Sequence, residues 1–136
     1  MRAVLLVIAL ITAGLGPARA EDAAGEQIRG VIQSQMDAFL ADDAATAFTF
    51  ASPTIKGIFM SPENFRRMVE TGYPMIWKPS AVEFLGLREE NGMTFQRVKV
   101  TDGAAAAFLF DYEMVALPEG WRINGVFPVR DSGVGV

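Results

Sequence analysis

The chain has no cysteine and no histidine. It therefore has no thiol nucleophile, no serine–histidine pair, no imidazole base and no His or Cys metal ligand. Without cysteine there is no disulfide, so the hydrophobic core alone must hold the fold. Basic residues are in the minority, 12 against 16 acidic, for a net charge of −4. Such a surface does not attract phosphate backbones, which argues against nucleic acid as a partner. It is also repelled by anionic lipid. No glycine-rich phosphate loop, nucleophile elbow or zinc motif is present. Glu89-Glu90-Asn91 adjoins a turn and lacks the spaced oxygen ligands of a calcium loop. No metal and no cofactor is expected.

Long apolar runs are also scarce, with one exception at the start. Arg2 precedes an apolar run, Ala3–Leu15, then Gly16-Pro17 and the small-residue sequence Ala18-Arg19-Ala20. This is the layout of a cleaved export signal. The run falls short of the ~20 residues that span a bilayer, and no cysteine follows it to carry a lipid. Cleavage after Ala20 would leave residues 21–136, a length suited to one domain. Loss of Arg2 and Arg19 would make that domain more acidic by two charges. The expectation is an exported protein, periplasmic in preference to fully secreted, with no membrane segment after cleavage. The expected layout is a signal peptide over 1–20, one domain over 21–131 and a flexible tail over 132–136.

Residues Glu21–Gly25 read as a short polar lead. Ile28, Val31, Ile32, Met36, Phe39 and Leu40 then form one helical stripe, with Gln35 inside it. Asp42 and Asp43 interrupt that helix and can cap a short second one bearing Ala44, Ala47, Phe48 and Ala51. Ser52-Pro53 opens a further turn, expected to stop near Gly57. Ser61-Pro62 starts the best-specified helix: Glu63 complements its positive end, and Met60 and Phe65 have the spacing of a hydrophobic staple. Phe65, Met68 and Val69 are its buried stripe, Arg66 and Arg67 its solvated face, and Gly72 its terminator.

Beyond Gly72 the period becomes alternating. Tyr73–Pro79 reads as an extended segment between two prolines. Ala81–Arg88 reads as a strand, Asn91-Gly92 as a hairpin turn, and Met93–Thr101 as the partner strand. Asp102-Gly103 signals a second hairpin. Ala104–Leu117 and Trp121–Val129, joined at Pro118-Glu119-Gly120, complete a meander. Helices followed by antiparallel strands imply an α+β domain with the helices on one face of a curved sheet. The third strand supports this: Phe108, Phe110, Tyr112 and Met114 face one way, and Leu109, Asp111, Glu113 and Val115 the other.

Several segments carry a family resemblance. They are Gln35–Asp43 (QMDAFLADD), Ala47–Pro53 (AFTFASP), Phe65–Val69 (FRRMV), Gly72-Tyr73-Pro74 and Glu119–Val126 (EGWRINGV). Together they resemble an uncharacterised family of small exported bacterial proteins, labelled domain of unknown function 4864. That family is similar in turn to the nuclear transport factor 2-like (cystatin-like) superfamily. The resemblance implies a cone: N-terminal helices against a strongly curved antiparallel sheet, often enclosing a pocket. It brings no catalytic residues, because the superfamily includes isomerases, dehydratases and non-catalytic binding modules alike.

A ligand pocket in such a cone would draw on Gln35, Phe39, Tyr73, Trp77, Phe108, Phe110 and Tyr112. Gln35 is an amide in an apolar stripe and needs a partner if buried, whether backbone, water or ligand. Tyr73 and Trp77 sit where a pocket rim or a packed lid would be. Trp121 and Ile123 share one face of the last strand, and Arg122 and Asn124 the other. An acid–base site would need Asp37, Asp111, Tyr73 and Tyr112 to converge. Asp111 and Tyr112 face opposite sides, however, and Asp37 lies off the buried stripe, so no catalytic residue is assigned. Three functions follow from the residues: a non-catalytic binder of a small apolar ligand, an interaction or homodimerisation module using the outer sheet face, and an isomerase- or dehydratase-like enzyme.

Overall fold

A computed structural model describes residues 20–130. The expected signal peptide, apart from Ala20, and the expected tail lie outside the described residues. Helix α1 spans Ala20–Leu40. It begins before the apolar stripe does: the Ala- and Glu-containing stretch 21–25 is helical, because good helix formers extend a helix beyond the face it buries. Ile28, Ile32, Gln35, Met36 and Phe39 are buried, whereas Leu40, at the helix end, is exposed.

Three short polar residues set the next helices. Asp43 accepts a hydrogen bond from Thr46 N at 3.1 Å and caps α2 (Ala44–Thr49). Ser52 Oγ accepts from Ile55 N at 3.2 Å and caps α3 (Pro53–Phe59), which runs past Gly57. Ser61 Oγ accepts from Asn64 N at 3.2 Å and caps α4 (Pro62–Gly72). Gly72 is the last helical residue and not the terminator beyond it. The expected staple is replaced. Met60, at the α3–α4 joint with φ of 70°, points to solvent, and Phe59 packs on Phe65 instead, ring centroids 5.7 Å apart.

The segment expected to be extended forms one more helical turn, α5 (Pro74–Trp77). Proline at the first position favours a helix start, and Tyr73 O accepts from both Ile76 N and Trp77 N. Lys78 then closes the C-terminus of α1. Its Nζ donates to Phe39 O, Leu40 O and Asp42 Oδ1 at 2.9, 3.1 and 2.9 Å, a cation on orphaned carbonyls at the negative end of the helix.

Strands β1 (Ala81–Glu90), β2 (Met93–Thr101), β3 (Ala107–Leu117) and β4 (Gly120–Pro128) form one open antiparallel sheet in the order β1-β2-β3-β4. Asn91 and Gly92, with φ of 53° and 77°, make the tight β1–β2 turn, a conformation that glycine adopts without steric cost. The second connection is wider than a two-residue turn. Asp102 Oδ1 accepts from Ala104 N and Ala106 N, which delays β3 to Ala107.

The even-numbered residues of β2 and β3 pack beneath the helices. Val98, Val100, Phe110, Tyr112 and Met114 are buried there with Ile123 of β4. Both edge strands carry a bulge, β1 between Phe84 and Leu87 and β4 at Asn124, and bulges bend a strand. The link between α2 and α3 guards part of the β4 edge: Ser52 N donates to Ile123 O, and Ile123 N to Phe50 O. Among the described residues no helix is long and apolar enough to cross a membrane.

Candidate functional site

The helix layer does not fill the space above β3 and β4. A cavity of about 290 Å³ lies between them. Its walls are Gln35 and Phe39 of α1, Ala51, Ile55 and Phe59, then Phe65, Met68 and Val69 of α4, Tyr73 and Ile76, Tyr112 of β3, and Ile123 to Phe127 of β4. None of these side chains is charged. Phe127 is half exposed and pairs across the strands with the outward-facing Asp111, so it borders this wall from the outer side. Its ring lies over Gly125, where a Cβ would stand 2.9 Å from it, so glycine is what lets the ring close on the strand. Phe65 anchors the opposite wall, with rings of Phe39, Phe48 and Phe59 within 5.9 Å of its own.

Four of the seven residues expected at a pocket meet there: Gln35, Phe39, Tyr73 and Tyr112. The other three do not line the cavity. Trp77 packs against Phe39 at 5.2 Å, with Arg66 and Lys78 over its ring at 5.1 and 5.2 Å, so its place is core and lid. Phe110 is buried against the edge of Tyr73, and Phe108 packs half-buried on the core. The wall residues Ile55, Phe59, Met68 and Ile123 to Phe127 were not anticipated. The legible signal was Asn124-Gly125 inside an apolar alternation, a pair that marks a bulge.

The polar groups of the walls differ in how they are satisfied. Asn124 is held at both ends: its Oδ1 accepts from Ser52 Oγ at 2.7 Å and its Nδ2 donates to Glu113 Oε2 at 2.6 Å. Gln35 Nε2 donates to Ala47 O at 3.2 Å, which is the backbone partner that a buried amide requires. Tyr112 is wholly buried and its hydroxyl has no partner among the described residues. Burial pushes that hydroxyl well above the ordinary 10.0, so it stays protonated. Its cross-strand neighbour Gln96 is also buried. Gln96 Nε2 donates to Leu85 O, Gly86 O and Arg97 O and seals the β1 bulge, while its Oε1 has no partner among the described residues.

The carboxylates lie elsewhere. Asp37 is exposed and accepts from Gln33. Asp111 is on the outer face, gripped by Arg88 and Arg97 through four hydrogen bonds of 2.9 to 3.2 Å. Desolvation raises its pKa, but the bonds and charges of Arg88 and then Arg97 outweigh that and hold it below 3.8. A second, larger hollow of about 470 Å³ lies between Ala24 and Ile28 of α1 and the far end of the sheet. Arg88 and Glu89 line it, and it gathers none of the seven expected residues. Among the described residues no group of three or more acidic side chains could hold a metal ion.

The fold and cavity define a small α+β domain with helices on one face of an open sheet and an apolar chamber between the two layers. The family model for a domain of unknown function (DUF4864) matches residues 21–136, and the chain belongs to that family. No curated protein matches the chain.

Proposed function

We propose that this chain is an exported, non-catalytic binding domain that holds a small apolar molecule between its helices and its sheet. The observation that carries this reading is the cavity: about 290 Å³, apolar-walled and free of charged side chains. Ligand pockets have this makeup, with a few placed polar groups among apolar walls. The volume is roughly twice the ~150 Å³ that takes a benzene ring, which suits a fused bicyclic or branched molecule of similar bulk. A nuclear transport factor 2-like cone is the fold this reading favours; bulges in both edge strands supply the bend such a cone needs.

An acid–base enzyme is not favoured, because no carboxylate lines the cavity among the described residues. A homodimer would use the outer face, where Phe127 is half exposed and Leu109, Val115 and Arg122 lie. Export rests on the leader sequence, and a mature protein beginning at Glu21 in a periplasmic extract tests it.

Binding is tested with aminoanthracene, an uncharged fluorescent aromatic. Saturable binding of one dye per chain is expected, and Ile55→Trp, which fills the wall from α3, should abolish it. Absence of binding by the folded wild-type protein, or unchanged binding by a folded Ile55→Trp variant, would overturn the reading. Native mass spectrometry of the same sample looks for a co-purified small molecule and for dimers.

A further inference from the structure

We infer that the molecule held in the cavity is uncharged and carries a hydrogen-bond donor, a hydroxyl or an amide N–H, and that Gln35 Oε1 accepts from it. This rests on the reading of the cavity as a ligand site and narrows the class of ligand.

Gln35 sits in the apolar stripe of α1, lines the cavity and is only 3% exposed. Among the described residues its amide is tied at one end. Nε2 donates to Ala47 O at 3.2 Å, and no described group donates to Oε1. The sealed side-chain atoms without a partner are Gln96 Oε1 and the Tyr112 hydroxyl, on residues paired across β2 and β3. Gln35 Oε1 is not among them. An acceptor that is neither paired nor sealed is open to a water-sized probe, and the open space that Gln35 lines is the cavity.

The tie also fixes the polarity of the amide. A flip would set Oε1 against Ala47 O, acceptor on acceptor. That carbonyl is itself held at the end of α2, where it accepts from Phe50 N. Oε1 is therefore an acceptor at a fixed place in an apolar wall. Water can serve it in the empty protein. A ligand that expels such a water without replacing its hydrogen bond forfeits affinity. A ketone or ether oxygen placed there would meet a second set of lone pairs, whereas a hydroxyl or N–H completes the amide.

The surroundings decide the charge of that donor. No Asp, Glu, Lys or Arg lines the chamber among the described residues, and the chain has no histidine. An ammonium would enter an apolar space with no counter-charge, and that desolvation is prohibitive. A neutral donor loses far less water on entry.

The test compares β-naphthol with its methyl ether, which keeps the ring and the oxygen and lacks the donor. Each is measured by displacement of bound aminoanthracene from wild type and from Gln35→Met, corrected for the dye's own affinity for each protein. Methionine preserves the length of the side chain and removes the acceptor. Loss of the tie to Ala47 O should weaken both ligands alike, so the ratio of their affinities isolates Oε1. In Gln35→Met that ratio should move against naphthol by roughly three- to tenfold, the worth of one net hydrogen bond. A ratio that stays the same or moves the other way overturns the proposal. Failure of wild type to bind the dye and both naphthalenes would instead sink the ligand-site reading itself. A check on wild type alone is independent of the variant's folding. In the carbon NMR spectrum, the Gln35 Cδ signal should move further downfield with saturating naphthol than with saturating ether. Equal shifts overturn the proposal.

Discussion

Asp111 and Tyr112 are adjacent in β3 and have opposite fates. Asp111 faces outward and receives four hydrogen bonds from two arginines on two neighbouring strands. Tyr112 faces inward and its hydroxyl receives and gives none among the described residues. The outer face, half open to water, builds its own polar network: Arg88 stacks over Phe95 at 4.9 Å and reaches across β2 to Asp111. The inner face is largely apolar, and the Tyr112 hydroxyl buried on it has no partner among the described residues. The difference teaches that a polar group near solvent finds partners among long, flexible side chains, whereas one sealed beneath a helix layer has only the groups packed against it.

Five substitutions probe this contrast, from the largest expected effect down. Phe110→Ala on the inner face should cost about 3–5 kcal/mol, while Leu109→Ala beside it should cost about 1 kcal/mol or less; urea unfolding of the pair measures the asymmetry. Equal losses would erase the distinction between the faces.

Asp111→Asn comes next, at about 1–2 kcal/mol. The arginines are more than a third exposed, so solvent screening discounts the ion pairs. Its pH dependence has a definite sign. The folded pKa is lowered from 3.8, so the stabilisation is present above that value and lost as the pH falls below it. Thermal melts should therefore converge in acid, wild type losing more than Asp111→Asn as the pH drops from 5 to about 2. Parallel loss in both proteins would show that Asp111 is not the group responsible.

Ser52→Ala acts where the two faces meet. It removes the cap of α3 and the bond to Asn124, and about 1–2 kcal/mol should be lost in urea unfolding. Dye affinity should fall with it, because β4 at the bulge forms part of the cavity wall. The smallest effect is also the most discriminating. Tyr112→Phe should leave the ligand-free protein as stable or up to about 1 kcal/mol more stable, since it deletes a buried hydroxyl with no protein partner. A clear drop in melting temperature would reveal a partner that the structure does not show.

Much of this fold was legible in the chain. Caps at Asp43, Ser52 and Ser61 are local chemistry, a side-chain oxygen three residues before an N–H, and spacing alone reveals them. The Asn91-Gly92 turn and the two faces of β3 are equally local. Tyr73–Pro79 was not legible, because a proline favours a helix start as readily as an extended strand, and the carbonyl of Tyr73 decides between them. Lys78 was not legible either: its partners are 36 to 39 residues away.

The candidate site divides in the same way. Gln35, Phe39, Tyr73 and Tyr112 could be anticipated, as polar or aromatic residues on faces that periodicity turns inward. Which aromatics fill space and which border it could not. Trp77 and Phe110 pack solidly while Phe59 and Phe127 edge the cavity, and that depends on how α3 and α4 lie across a bulged β4.

The sequence by itself determined the reaction classes open to this chain, the helix caps, the order of elements and the faces of its strands. Those follow from composition and from interactions within a few residues, and a single chain carries them in full. The tertiary structure alone decided that a chamber remains above β3 and β4, that Asp111 has two arginines, and that the Tyr112 hydroxyl has no partner among the described residues. Each is a sum over residues far apart in the chain, and packing has no local signature.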